Sequence, residues 1–361
     1  MIRARYTRYP LHFRQPAGTS RGVLRWKDCW FVILTGHDGR TGVGEVSYIP
    51  GLSVEDWDHA GGPPGVKGPA RVERGLDQLC SDISGGERDP VQPLPELPGV
   101  QFALETAVKD LETGGSRVLF PSGFTAGRSG IPTNGLIWMG TRDFMAEQVR
   151  QKIASGFRVL KMKVGALDFR EELDLLKWVR SEFFIADLEI RLDANGAWTP
   201  GEASEKMETL AGFGIHSIEQ PIRAGQPEAM ASLCRDAAIP VALDEELIGI
   251  HDPVARRQLL RLVNPSYVIL KPGLLGGFTA AEDWVSAAGD TGTAWWVTSA
   301  LESNIGLNAI AQWAWQQGVE NPQGLGTGQL YGNNIVSPLR MEGDRLWYRD
   351  EAGWDLGVIG I

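Results

Sequence analysis

From Thr133 onward, seven short apolar runs alternate with longer amphipathic stretches, and few architectures accommodate such a chain. The runs are G-L-I-W-M, V-L-K-M-K-V, E-I-R-L-D-A-N, S-I-E-Q-P, P-V-A-L-D-E, Y-V-I-L-K-P and A-W-W-V-T-S. Between them, residues 169–183, 200–213 and 228–237 carry helical spacing. Strands alternating with helices build parallel βαβ units. Seven such units without a dinucleotide-binding glycine fingerprint favour a closed barrel over an open doubly wound sheet. The regular alternation stops near Leu325.

The front of the chain reads differently. Residues 24–35 form one strand-like run, G-H-D-G is the turn after it, and residues 42–48 resume an extended pattern, as in a hairpin. Residues 72–83 put Leu76, Leu79 and Ile83 on one helical face. The proline-rich connector D-P-V-Q-P-L-P-E-L-P leads to a second helix over residues 100–112, stopped by Gly114-Gly115. Strands followed by helices suggest a small α+β domain over residues 1–115, then a barrel over 116–325. Residues 326–361 form a terminal segment whose L-R-M-E-G-D-R-L-W-Y reads as a hairpin returning to the first domain.

Composition narrows the function classes. A net charge of −10 over 361 residues argues against nucleic acid as a partner, because phosphate binding needs a basic face. Three separated cysteines, Cys29, Cys80 and Cys234, fit a reducing compartment rather than a disulfide framework. No apolar h-region follows the basic N-terminus and no run is long enough to span a bilayer, so we expect a cytoplasmic protein without a membrane partner. Oligomeric state is not legible. The G-L-L-G-G stretch at 273–277 matches no nucleotide-binding loop, and the five histidines show no ligand spacing.

Charges mark the strand ends. Lys163, Asp193, Glu219, Asp244 and Lys271 follow one another at intervals of roughly one βα unit, about 30 residues. Each ends an apolar run and precedes a turn, the position where barrel enzymes build their sites. Asp193, Glu219 and Asp244 can converge only around a cation, and hard oxygen ligands suit Mg²⁺. Lys161 and Lys163 share one face of their strand, while Leu160, Met162 and Val164 face the helices. Lys271 should then stand across the barrel from Lys163, with acid–base groups on either side of a bound substrate. Burial and a nearby dication are expected to lower a lysine pKa towards that of a working base.

K-M-K, D-A-N, E-Q-P, D-E and L-K-P, in this order, resemble the enolase superfamily, in its muconate-lactonising subgroup with lysines on two strands. The helix F-A-L-E-T-A-V-K-D-L at 102–111 is similar to that of the N-terminal capping domain in the same family. The resemblance implies a TIM-like (β/α)7β barrel with an N-terminal α+β capping domain completed by the C-terminal segment. It also implies Mg²⁺ as cofactor and a small-molecule carboxylate substrate that loses the proton beside its carboxylate. Residues 20–24, 44–53, 134–140 and 296–313 narrow the resemblance to a branch that dehydrates its substrate. By that resemblance Lys163 is the base, Lys271 stabilises charge on the other face, and Lys161 holds positive charge near the substrate carboxylate. Asn195 is a donor behind Asp193, and Glu245, which in an ideal strand points the other way from its neighbour Asp244, has no assigned role. Loops 19–22 and 48–53 are expected to close over the mouth as flexible lids, with Ser20, Arg21 and Gly51 touching substrate. Ser299 and Glu302 are expected to line the pocket, and Gly273 to let substrate approach the backbone. Racemisation of N-acylamino acids, dipeptide epimerisation and muconate cycloisomerisation stay open within the fold. Outside it stand a Mg²⁺-dependent barrel aldolase, which needs no opposed lysines, and a non-catalytic binding barrel.

Overall fold

In the computed structural model of the protein, which describes residues 2–19, 22–57 and 65–361, the N-terminal part contains five strands and two long helices. The strands are β1 (Arg3–Arg8), β2 (Leu11–Thr19), β3 (Gly22–Lys27), β4 (Trp30–Thr35) and β5 (Thr41–Val46). Helices α1 (Pro69–Gly85) and α2 (Pro98–Glu112) follow, each with proline in its first turn, where the missing N–H costs nothing. The expected hairpin is β4–β5, paired antiparallel with β1 on the far side of β4. The single strand expected over residues 24–35 is two: among the described residues β3 pairs only with β2, and β4 lies in the other sheet.

The continuous apolar run W-F-V-I-L of β4 has a structural cause, since both faces of the strand are covered. Trp30, Val32 and Leu34 pack with residues of α1 and α2 such as Leu76 and Val100. Phe31 and Ile33 pack with Ile305, Tyr331, Ile335 and Ile359 from the second half of the chain. Helix α2 lies close on β5, because a Cβ at Gly42 or Gly44 would stand 1.9 or 1.8 Å from the carbonyl oxygens of Ala107 or Ala103. Glycine is required there by close approach.

The second part opens with β6 (Ile131–Pro132) and then alternates: β7 (Gly135–Ile137), α3 (Arg142–Ala154), β8 (Val159–Lys163), α4 (Phe169–Glu182), β9 (Glu189–Asp193), α5 (Pro200–Ala211), β10 (Ser217–Glu219) and α6 (Pro227–Asp236). It continues with β11 (Val241–Leu243), α7 (Pro253–Val263), β12 (Tyr267–Leu270), α8 (Pro272–Leu275), α9 (Gly277–Thr291), β13 (Ala294–Val297) and α10 (Asn304–Gln316). All seven expected strands are present, and they form one parallel sheet in sequence order from β7 to β13. Leu160, Met162 and Val164 enter the large core shared with the surrounding helices, as the alternation on β8 requires. Isolated bridges Thr133↔Gln323 and Thr298↔Gly324 bring residues 323–324 beside both edges of this sheet.

The terminal hairpin exists as β14 (Leu339–Glu342) and β15 (Arg345–Tyr348), but β15 pairs with β6 rather than with the N-terminal sheets. The residues that do reach those sheets flank the hairpin. Phe13 bridges Tyr331, and Tyr331, Ile335 and Ile359 pack beneath β4.

Candidate active site

Five successive strand ends bring their charges into one cluster. Lys161 and Lys163 project from β8, Asp193 ends β9, Glu219 ends β10, Asp244 follows β11 and Lys271 follows β12. Register accounts for this, since Lys163 pairs with Asp193 and Asp193 with Glu219 across the parallel ladder. All three carboxylates are buried. Lys161 Nζ lies 2.8 Å from Asp193 and 2.6 Å from Glu219. Lys163 Nζ donates to Asp193 Oδ2 and to Asn195 Oδ1, both at 2.6 Å. Lys271 donates to Asp244 Oδ2. Lys161, Lys163 and Lys271 all border the cavity, with Asn195, Glu245, Asn134, Ser299 and Thr327 as polar neighbours.

Burial alone would raise the Asp193 carboxyl, but Lys161 and Lys163 outweigh it and hold the group well below the usual carboxylate range. Burial, reinforced by the neighbouring Asp193, pushes Glu219 well up. At two of the lysines the neighbouring carboxylates set the direction. Burial works against the Lys161 and Lys271 ammonium groups, but adjacent carboxylates outweigh it and both stand above the ordinary lysine value.

Three buried carboxylates within Coulombic range of one another are the donor set a hard dication takes, and Asp193 and Asp244 both act on Glu219. Their side chains are nevertheless turned to lysines: Asp193 and Glu219 meet at Lys161, and Asp244 turns to Lys271. Among the described residues no three acidic, histidine or cysteine side chains are grouped as a ready chelate.

Glu245 departs from the sequence expectation that it points away. Strand β11 ends at Leu243, and Glu245 to Leu247 form a 3-10 turn that swings its carboxylate back to the cavity. There Asn195 Nδ2 donates to Glu245 Oε1 at 3.0 Å, so Asn195 joins Lys163 to Glu245. Gln220, which sequence reasoning passed over, has a left-handed backbone (φ +42°) directly after Glu219. Its Oε1 accepts from the backbone N–H groups of Asp244 and Glu246 at 3.1 and 3.2 Å, fixing the neighbouring strand end. The E-Q-P motif was the available signal, but its left-handed turn leaves no mark in composition.

The expected substrate contacts divide. Ser299 borders the cavity, with its hydroxyl 2.6 Å from that of Thr327. Glu302 is fully buried away from it: its oxygens take the Ser47 hydroxyl at 2.5 Å and the Ala300 N–H at 2.6 Å. Gly273 faces the same pair, and a Cβ there would stand 2.5 Å from Ser47 and 2.6 Å from Glu302, so glycine serves packing. Gly51 borders an adjoining cavity with Asn195 and Glu245, not the one holding the lysines. Ser20 and Arg21 lie outside the described residues. Loop 48–53, expected to be flexible, is held by Tyr48 Oη and the Gly51 N–H on Asp56, at 3.0 and 2.6 Å, and by Ile49 N–H on Ser53 at 2.8 Å. Leu24, Ile49, Pro50 and Leu52 supply the apolar wall from the N-terminal part, facing Leu136, Trp138 and Leu301.

Comparison with known proteins matches residues 144–354 to the family model described as enolase C-terminal domain-like. An o-succinylbenzoate synthase from Desulfotalea psychrophila strain LSv54 is 45% identical, covering 94% of this chain and 97% of that protein. A hydrophobic dipeptide epimerase from Roseobacter litoralis is 27% identical over 86% of each. The crystal structure of MenC from Desulfotalea psychrophila LSv54 superimposes with a TM-score of 0.81 at 40% identity, covering 96% of this chain and 99% of that one. With the ordered strand-end charges and these matches together, the chain belongs to the enolase superfamily.

Proposed function

We propose that this chain is an o-succinylbenzoate synthase, converting 2-succinyl-6-hydroxy-2,4-cyclohexadiene-1-carboxylate to 2-succinylbenzoate in menaquinone biosynthesis. The observation that carries the reading is Lys163, with Lys161 beside it and Lys271 from the fourth strand along, all on one cavity walled by apolar cap residues. Sequence identity of 45% over nearly the whole chain supports this substrate over those of more distant relatives.

Asp193, Glu219 and Asp244 would hold Mg²⁺, which when bound supplies positive charge against the negative charge developing on the substrate carboxylate. The remaining chemistry falls to the chain itself. Lys163 Nζ takes the ring proton beside the carboxylate, with Asn195 orienting the amine. The protonated Lys163 returns that proton to the departing hydroxyl on the same face, so water leaves and the ring becomes aromatic. Lys271 and Lys161 stabilise the developing charge. The apolar wall of Leu24, Ile49, Pro50 and Leu52 excludes water from the ring.

We read the parallel sheet as a (β/α)7β barrel with residues 322–325 as its last strand, supported by the bridges at Gln323 and Gly324. Residues 1–115 would form the cap, 116–325 the barrel and 326–361 the returning segment. No described helix is long and apolar enough to cross a membrane, and a cytoplasmic location agrees with three free cysteines.

A second reading, racemisation of N-succinylamino acids, draws on the same opposed lysines, since proton exchange on two faces needs both. One assay separates them. Purified protein with Mg²⁺ is given the cyclohexadiene carboxylate and, separately, an N-succinylamino acid, following product absorbance and optical rotation. We expect dehydration that a chelator abolishes and added Mg²⁺ restores. Racemisation without dehydration would replace the first reading by the second.

A further inference from the structure

Leu301 has φ +61°, a left-handed backbone that a leucine rarely adopts. Such outliers persist where the surroundings over-determine them, and they cluster at functional sites. Here the determinants come from three parts of the chain. Lys27, at the end of β3, donates Nζ to the Leu301 carbonyl at 2.9 Å. Tyr331, from the C-terminal segment, donates its hydroxyl to the same oxygen at 2.6 Å. Glu302 holds the turn from behind through Ala300 N–H and Ser47.

This arrangement is costly. Lys27 is buried, 1% exposed, and a lysine is almost never buried without a partner. Its charge is met by Glu45 at 3.9 Å. Glu45 in turn accepts from Ser303 N–H and Oγ and from Gly306 N–H, at 2.8, 2.5 and 2.9 Å, where α10 begins. The result is that Leu301 borders the cavity that holds Lys161, Lys163 and Lys271, alongside Leu24 and Leu52.

We propose that Leu301 is a specificity-determining residue that contacts the apolar flank of the carboxylate substrate, and that Lys27 and Tyr331 are its positioning residues. This rests on the reading of the lysine cavity as the substrate site. It makes cap docking and completion of the pocket wall one event, because a cap residue and a C-terminal residue grip the same carbonyl.

The test compares Leu301→Gly with Leu301→Ala. Glycine takes φ +61° without strain and alanine does not, so Leu301→Gly should melt at or above Leu301→Ala. Both should raise KM about tenfold or more, the scale of losing apolar pocket contact. Stability and KM thus part company in Leu301→Gly, which a merely structural role does not produce. Tyr331→Phe should raise KM in the same direction with kcat within about threefold, since one of two donors remains. As a control, Glu105 accepts from Phe278 N–H at 2.5 Å and Thr279 N–H at 3.2 Å, tying α2 to α9, and does not border the cavity. Glu105→Gln should lower Tm and leave KM unchanged. KM is read with whichever substrate of the preceding assay the wild type turns over, so failure of the dehydration reading leaves this test intact. A Leu301→Gly enzyme with KM within twofold of wild type overturns the contact, and one that melts below Leu301→Ala overturns the positioning. A wild type silent on both substrates counts against both readings.

Discussion

The mouth at the carboxyl end of the parallel sheet and the seam between the N-terminal strands and α10 each bury a cluster of charge, and they satisfy it in opposite ways. At the mouth, Lys161, Lys163 and Lys271 meet Asp193, Glu219 and Asp244 largely side chain to side chain, next to an open cavity. At the seam, Glu45 and Glu302 are taken up mainly by backbone N–H groups and serine hydroxyls, and Lys27 by a backbone carbonyl. Side-chain pairs beside a cavity can exchange partners for a substrate carboxylate or a cation. Backbone donors at a helix start cannot move without unfolding it. On the proposed function the same residue types serve proton transfer in one place and positioning in the other, and what separates them is who satisfies the charge.

The sharpest break of this contrast is Lys163→Ala, which should lower turnover about 10³-fold, within the range of lost general-base catalysis, while the protein stays folded. Turnover near wild type, by product absorbance, would place the base elsewhere. Glu45→Ala should act in the opposite currency. It removes the ion-pair partner of the buried Lys27 and should cost about 3–5 kcal/mol in urea unfolding. A loss below about 1 kcal/mol would show that the seam is not charge-fixed.

Glu55 sharpens the comparison by pH. It is fully buried, its Oε1 accepts from Gly99 N–H at 3.0 Å, and its Oε2 has no hydrogen-bond partner among the described residues. Burial pushes its carboxyl from 4.5 up to about 7, with Arg71 and Asp56 as charged neighbours acting in opposite senses. The folded state therefore binds more protons than the unfolded state between these values. Its contribution to stability is fully present below pH 4.5 and is lost as pH rises through about 7. The change is on the order of 3 kcal/mol. Glu55→Gln should match wild type near pH 4.5 and exceed it at pH 8, by chemical denaturation. Equal stability at both pH values would put Glu55 among groups indifferent to burial. The smallest effect is Ser299→Ala, about 1 kcal/mol of stability for the hydroxyl pair with Thr327 and a KM within threefold. A larger rise in KM would promote Ser299 to a direct substrate contact.

Much of the parallel sheet was legible because its signals are local. Each of the seven runs became a strand, and Lys161 and Lys163 share a face because alternation along a strand has a period of two. The split of residues 24–35 was not legible. Lys27 looks like one more polar strand residue until the seam buries it, and Asp28 and Cys29 carry no turn signature. The first strands were missed because R-A-R-Y-T-R is half-exposed and its pattern weak. Glu302 and Gly273 were assigned to substrate from their neighbourhood in sequence. Their partner, Ser47, lies more than two hundred residues away.

By itself, the order of apolar runs and strand-end charges determined the α/β class, the end of the parallel sheet where the charges gather and the family. Those depend on spacing along the chain, which sequence records directly. Only the tertiary structure decided which carboxylate meets which lysine, that Glu245 turns inward, and that Leu301 is held left-handed by Lys27 and Tyr331. These depend on backbone turns and on contacts between segments hundreds of residues apart, set by how the N-terminal strands, the parallel sheet with its helices and the C-terminal segment pack together.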